Sequence, residues 1–73
     1  MRRKFKLKNA KGQHLAVVLY FYEEILNSNV GIIISNDLSK KSTWLFQNEQ
    51  IEEVIANLAN RLEIEYTSFE EVN

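Results

Sequence analysis

Only one side chain in the sequence is suited to acid–base catalysis at neutral pH, and that is the single histidine, His14. A nucleophilic mechanism also needs an activating base and an orienting group, and the chain has no cysteine and one aspartate, Asp37. Glu23 and Glu24 are adjacent, so in a strand they point to opposite faces and do not act as a pair. We therefore predict that the protein is not an enzyme.

Metal and cofactor sites are disfavoured for the same reason. Zinc and calcium sites need several Cys, His or carboxylate ligands at characteristic spacings, and no such cluster occurs in the sequence. Gly12 and Gly31 are the only glycines, so there is no glycine-rich loop of the kind that holds phosphate groups. We predict no metal, no cofactor and no small-molecule substrate.

Cations are concentrated near the N-terminus, where residues 1–11 carry six Lys or Arg side chains and no acid. Along residues 2–8 they occupy every second position, which places them on one face of a strand at intervals of about 6.6 Å. Such a row can follow a phosphate backbone. An edge strand protected from aggregation by its lysines is the alternative. The candidate phosphate-binding residues are Arg2, Lys4, Lys6, Lys8 and Lys11.

Acids dominate the other end of the chain, where residues 48–73 carry seven glutamates against one base, Arg61. Such polarity is typical of a basic binding surface, of self-association or of internal complementarity. In the case of complementarity, the basic strand and the acidic tail lie against each other, within a chain or across a dimer. Exposed ion pairs contribute only about 0–1 kcal/mol each, so this contact is expected to set register and orientation more than stability.

The elements that must position these side chains are four strands followed by a helix. The run Asn9-Ala10-Lys11-Gly12 predicts a type I turn closed by a left-handed glycine, and therefore a hairpin between the first two strands. β-Branched and aromatic residues favour a strand in the segment after this turn. The predicted strands cover residues 3–8, 15–22, 30–34 and 43–46.

Apolar residues at helical spacing after Asn48, the predicted N-cap, indicate an amphipathic helix over residues 49–62. The fold class is therefore α+β, in the order β-β-β-β-α, with residues 63–73 as a fold-back strand or a mobile acidic tail. Apolar residues in the segment 14–26 also have helical spacing. If that segment were helical and the tail a strand, the order would be the ferredoxin-like β-α-β-β-α-β.

Length and composition indicate one soluble domain over residues 1–73. The absence of cysteine favours a reducing, cytoplasmic setting, since small secreted domains usually carry disulfides. The apolar run 15–22 follows a basic segment, but it is aromatic-rich, lacks a small-residue cleavage site and is too short to span a bilayer, so we expect neither a signal peptide nor membrane insertion. Frequent asparagine with little Gly, Pro or Ala suggests a bacterial or phage source.

Strands two and three are apolar on both faces, whereas one helix covers only one face of a sheet. The other face therefore needs a cover, which is either the tail, a second copy or a partner. We predict a small non-enzymatic interaction or regulatory protein that binds a protein partner and forms a homodimer. The predicted partner-binding residues are Val18, Tyr20, Tyr22, Ile33 and Trp44.

A single-stranded nucleic-acid-binding protein is the alternative function. The order of four strands and a helix is similar to that of the whirly-type single-strand-binding fold. That similarity implies a basic, aromatic sheet face that receives the nucleic acid. Bases would stack on Tyr20 or Tyr22 while Lys4 and Lys6 contact phosphates. The sequence pI of about 5.8 counts against this function.

Overall fold

The computed structural model describes residues 2–73, and Met1 lies outside the described residues. The strands and the helix are β1 (Arg2–Lys8), β2 (His14–Glu23), β3 (Ser28–Ser35), β4 (Lys41–Phe46), α1 (Ile51–Arg61) and β5 (Ser68–Val72). All five strands form one antiparallel sheet in the order β4-β3-β2-β1-β5. This confirms the predicted α+β class. The ferredoxin-like alternative is wrong, because His14–Glu23 is a strand paired on both sides.

The β1–β2 turn forms as predicted. Asn9 Oδ1 accepts hydrogen bonds from the backbone N–H groups of Lys11, at 2.9 Å, and Gln13, at 3.0 Å. The Gly12 N–H donates to the Asn9 carbonyl at 3.0 Å, and Gly12 has a φ of 78°, which a residue with a Cβ rarely adopts. This turn fixes the hairpin register, in which Phe5 lies opposite Val18.

Helix α1 begins two residues later than predicted. Its N-cap is Gln50, whose backbone N–H donates to a carboxylate oxygen of Glu53, three residues on. Asn48 is not the N-cap, and the residue three positions after it, Ile51, has no side-chain acceptor for such a bond. No helical stretch in residues 2–73 has the length and apolar character needed to cross a bilayer.

The core lies between α1 and one face of the sheet. Gly31 on β3 marks the closest approach, since a Cβ atom there would lie only 2.7 Å from Cε2 of Phe46 and 3.0 Å from Cδ1 of Leu58. No side chain among the described residues has a buried polar atom without a hydrogen-bond partner. The buried core residues are Phe5, Leu7, Ala16, Val18, Ile33, Phe46, Val54, Ile55, Leu58, Ala59 and Leu62.

The acidic tail adds a fifth strand to the sheet rather than covering its second face. β5 pairs with β1 in antiparallel fashion, with Phe69 opposite Leu7. The Phe69 ring packs edge-on against Phe5, with centroids 6.0 Å apart. β1 is therefore an interior strand, and its interpretation as a lysine-protected edge strand is wrong. The sheet edges are β4 and β5.

Val17 and Val18 offer a matched test of which face is the core, because adjacent residues of a strand point to opposite faces. Val18 has no solvent exposure, whereas Val17 is partly exposed on the side away from α1. Val18→Asp buries an unpaired charge, which costs several kcal/mol and unfolds a domain of this size. Val17→Asp leaves the charge in water, and the domain stays folded.

Circular dichroism melts of the two variants measure this difference. We expect Val18→Asp to show no cooperative transition and Val17→Asp to melt within a few degrees of the parent protein. Leu58→Asp, on the core side of α1, serves as a second buried control. A folded Val18→Asp variant with an unfolded Val17→Asp variant would show that the core lies on the other side of the sheet.

Candidate functional site

The face of the sheet that is turned away from α1, here called the open face, is organised in three rows that run across β1, β2, β3 and β4. On β1 each row has a cation, which is followed by two apolar side chains, one on β2 and one on β3. On the other side of β1, Val72 and Glu70 of β5 lie opposite Lys4 and Lys6. The rows are Arg2, Phe21, Val30 and Leu45; Lys4, Leu19, Ile32 and Thr43; and Lys6, Val17, Ile34 and Lys41.

The middle of each row forms a continuous apolar surface. We call these six residues the apolar strip, and they are Val17, Leu19, Phe21, Val30, Ile32 and Ile34. Five of the six retain partial solvent exposure, and Val30 is buried. Beyond the strip, Leu45 on the edge strand β4 is 46% exposed. The apolar strip has no covering element among residues 2–73, which contain one helix, and that helix lies on the opposite face.

A line of cations, here called the basic row, borders the apolar strip on β1 and consists of Arg2, Lys4 and Lys6. None of the three forms an ion pair in the part of the chain that the structure describes. The guanidinium carbon of Arg2 lies 5.6 Å from the centroid of the Phe21 ring, which is within cation–π range. The basic row therefore presents three positive charges immediately beside an apolar surface.

The other two predicted phosphate-binding residues lie outside the basic row. Lys8 shares the open face, but its Nζ atom lies 2.8 Å from a carboxylate oxygen of Glu70 on β5. Lys11 lies in the β1–β2 turn, exposed at one end of the sheet. The structure thus brings together three of the five predicted cations.

The predicted partner-binding residues lie on the helix-covered face, so their assignment to a binding surface is wrong for the buried members. Val18 and Ile33 are 0% exposed beneath α1 and cannot contact a partner. Tyr20 packs against Phe46, with ring centroids 6.2 Å apart. The physical reason is that apolar residues fill both faces of β2, and their periodicity alone does not say which face the helix covers.

Tyr22 and Trp44 also lie on the side of α1, at the margin of the core. The Tyr22 hydroxyl donates a 2.5 Å hydrogen bond to Asn27 Oδ1, so its polar end supports the β2–β3 turn. Trp44 lies beneath Arg61 of α1, whose guanidinium carbon is 3.6 Å from the ring centroid. Both aromatic residues therefore support the fold, although each remains about half exposed.

The hairpin contains a sequence signal for which face of β2 belongs to the core. Lys4 and Lys6 alternate with Phe5 and Leu7, so the core face of β1 is evident from its pattern. The turn register then places Phe5 opposite Val18, which assigns Val18 to the core. By the same register, Val17, Leu19 and Phe21 belong to the face that carries the lysines.

Of the alternatives for the two charged ends, the structure shows internal complementarity, since the basic strand and the acidic tail lie against each other at the β1–β5 pair. Arg3 binds Glu71 through two parallel hydrogen bonds of 2.8 Å, from Nε and from a terminal guanidinium nitrogen. The Lys8 ammonium lowers the pKa of Glu70, and the Arg3 guanidinium lowers the pKa of Glu71. These contacts neutralise Arg3 and Lys8 and leave the basic row charged.

His14 lies beside a shallow cleft at the end of the sheet, together with residues of the β3–β4 loop. In this loop Asp37 accepts hydrogen bonds from the hydroxyls of Ser35, at 2.8 Å, and Ser39, at 2.6 Å, which help to lower its pKa to about 2. None of the hydrogen bonds of Asp37 within residues 2–73 involves His14. Asp37 therefore holds the loop closed rather than orienting an imidazole.

Comparison with protein-family models, with curated proteins and with solved structures finds no significant match to this chain.

The ion pairs of β5 predict a dependence of stability on acid. A glutamate whose folded-state pKa lies below its ordinary value of 4.5 stabilises the fold above that pH, and this contribution is lost as the pH falls through the folded-state pKa. Both side chains are exposed, so the effect is modest. We expect the melting temperature to fall between pH 6 and pH 3.

The matched control is the double variant Glu70→Gln with Glu71→Gln, in which these two carboxylates are absent and so cannot be protonated. Thermal melts followed by circular dichroism should show a lower melting temperature for this variant at pH 6 and a smaller fall towards pH 3. An identical fall in both proteins would mean that other carboxylates cause the acid sensitivity.

Proposed function

We propose that the protein is a small non-enzymatic interaction protein that binds a protein partner through its open face. The observation that carries this proposal is the set of three rows in which a cation borders two apolar side chains. Apolar patches with a charged rim are the usual composition of protein interfaces. Contiguous apolar surface without a covering element is a mark of an interaction site, and the side chains of the apolar strip, apart from Val30, are partly exposed.

Burial of the apolar strip supplies a driving force for such binding. Removing apolar surface from water stabilises a complex by about 25 cal/mol for each Å², before the entropic costs of association. The apolar strip lies on paired interior strands, so its side chains are held in place by the sheet and little order is lost on binding. The basic row adds electrostatic attraction, which governs orientation and association rate.

Nucleic acid is the weaker candidate ligand because most aromatic side chains lie on the face covered by α1, away from the basic row. Stacking of bases requires exposed rings near the cations. Tyr20, Tyr22 and Trp44 lie on the side of α1, and Phe21, the one aromatic residue of the open face within residues 2–73, lies beneath Arg2. The neighbouring surface is aliphatic, which favours a protein side-chain partner over a base.

We also propose a cytoplasmic setting for this interaction. Supporting this, the chain has no cysteine, whereas domains of this size in oxidising compartments usually depend on disulfides. A homodimer is one form that binding through the open face can take, and the self-association predicted from the sequence then involves Leu19 rather than Val18.

A photo-crosslinking experiment tests the proposed function. A benzoylphenylalanine placed at Leu19 on the open face should form protein adducts in an extract of the source cell. The same probe at Ala56, exposed on α1, should form none. Nuclease treatment should leave the Leu19 adducts intact, and Ile32→Asp should remove them. Adducts at both positions, or adducts that disappear with nuclease, would contradict binding of a protein through this face.

A further inference from the structure

We infer that the segment received by the open face is an amphipathic α-helix of a partner protein, with an apolar stripe bordered by acidic side chains. This inference rests on the proposed function and specifies the chemistry of the partner. Three features of the open face lead to it: the width of the apolar strip, the charge beside it, and the mismatch with a second copy of this chain.

The apolar strip has the dimensions of one helix. It is two strands wide, which is about 10 Å, and it extends over five residues of β2, from Val17 to Phe21, which is about 17 Å. An α-helix with its side chains is about 10–12 Å across, and about 11 residues cover this length. On the opposite face the sheet already receives a helix of 11 residues, α1, by the same kind of apolar contact.

The charges beside the apolar strip require acids on the partner. The basic row lies on the strand adjacent to the strip, about 5 Å away, and so within reach of side chains that flank the apolar stripe of a docked helix. Lys41 ends the third row on the far side of the strip. Acidic residues on one flank of the partner's apolar stripe would therefore face the basic row along the whole length of the strip. Acidic residues on the other flank would face a cation only at the end where Lys41 lies.

A second copy of this chain does not supply those acids. Its open face carries the same basic row, so two open faces stacked with β1 over β1 place cations over cations. Stacked with β1 over β4, they place the basic row over Leu45, Thr43 and Lys41, none of which is an acid. Glu70, the acid of β5 on this face, is already bound to Lys8. The planar area of the strip, about 170 Å² from the dimensions above, is also well below the roughly 800 Å² of total surface that each partner buries in a standard interface, so the strip alone is too small for a stable dimer.

Helix α1 of a second copy does not fit either. Its outward side carries Glu52 and Glu53, but its other exposed residues, Ala56, Asn57, Asn60 and Arg61, provide no apolar stripe. The buried side of α1 is occupied by its own sheet. The complementary helix therefore belongs to another protein.

Synthetic peptides of about 15 residues, long enough to form a helix on binding, test this inference. One carries leucines at helical spacing flanked by glutamates, a second has lysines in place of the glutamates, and a third keeps the glutamates and has serines in place of the leucines. Fluorescence anisotropy at low salt should show binding of the first peptide at least about tenfold tighter than either of the others, because it alone matches both the strip and the basic row.

The matched protein variants are Lys4→Glu, in the basic row, and Lys11→Glu, in the β1–β2 turn, which change the net charge equally. Lys4→Glu should weaken binding of the acidic peptide about tenfold, while Lys11→Glu should leave it near the parent value. Leu19→Gln should weaken binding of the peptide without altering the melting temperature by more than a few degrees. Equal binding of the acidic and basic peptides, or equal loss in the two charge variants, would overturn the inference.

Sedimentation equilibrium and an oligonucleotide separate failure of this inference from failure of the proposed function. A dimer at micromolar concentration that Leu19→Asp dissociates would mean that the open face receives a second copy, so the inference would be overturned and the proposed function retained. Binding of a thymidine oligonucleotide that Lys4→Glu abolishes, with no peptide binding, would overturn both. A monomer that binds the acidic peptide alone is the expected result.

Discussion

The register of the β1–β2 hairpin is the constraint on which the rest of the structure depends. Asn9 and Gly12 close a turn that places Phe5 opposite Val18, and from this one alignment the two faces of the sheet follow. A shift of one residue would carry every side chain of β2 to the other face. The lysines of β1 would then border Val18 and its neighbours, and Val17 would lie under the helix. The small turn thus determines which apolar surface becomes the core and which one stays open.

The same register determines which cations of β1 pair with the acidic tail and which do not. β1 has neighbours on both sides, and its alternate residues meet different environments. Arg3, on the side of α1, binds Glu71, and Lys8, at the end of the open face, binds Glu70. The tail therefore pairs with Arg3 and Lys8 and leaves the basic row without an ion pair within residues 2–73, although Glu70 lies opposite Lys6 in the β1–β5 register. Since exposed ion pairs contribute little stability, their main effect is to align β5 and to define where positive charge remains.

Local patterns predicted most of the fold, and long-range placement accounts for the errors. The turn at Asn9, the strands around it and the helix predicted over residues 49–62 have signals that depend on neighbours within a few positions. All of them appear in the structure, the helix as Ile51–Arg61. The position of β5 depends on the Phe69–Phe5 contact, across most of the chain, which no local pattern indicates. Val18 and Ile33 were predicted to contact a partner but are buried under α1, because the two apolar faces of the sheet have the same period. The alternation of residues in β1 together with the register of the turn identifies the core face of β2.

A sheet that is apolar on both faces but is covered by a helix on only one of them must limit unwanted association through the uncovered face. Here the strip is narrow, its side chains are partly covered by their cross-strand neighbours, and a line of cations borders it. Two copies that approach through these faces bring like charges together, which opposes indiscriminate self-association. The same cations attract a partner of opposite charge. The basic row therefore disfavours the stacking of two open faces and favours the proposed complex with an acidic partner. Because only a modest apolar area is available, such a complex would depend on charge and weaken with salt, as expected for a reversible regulatory interaction rather than a permanent assembly.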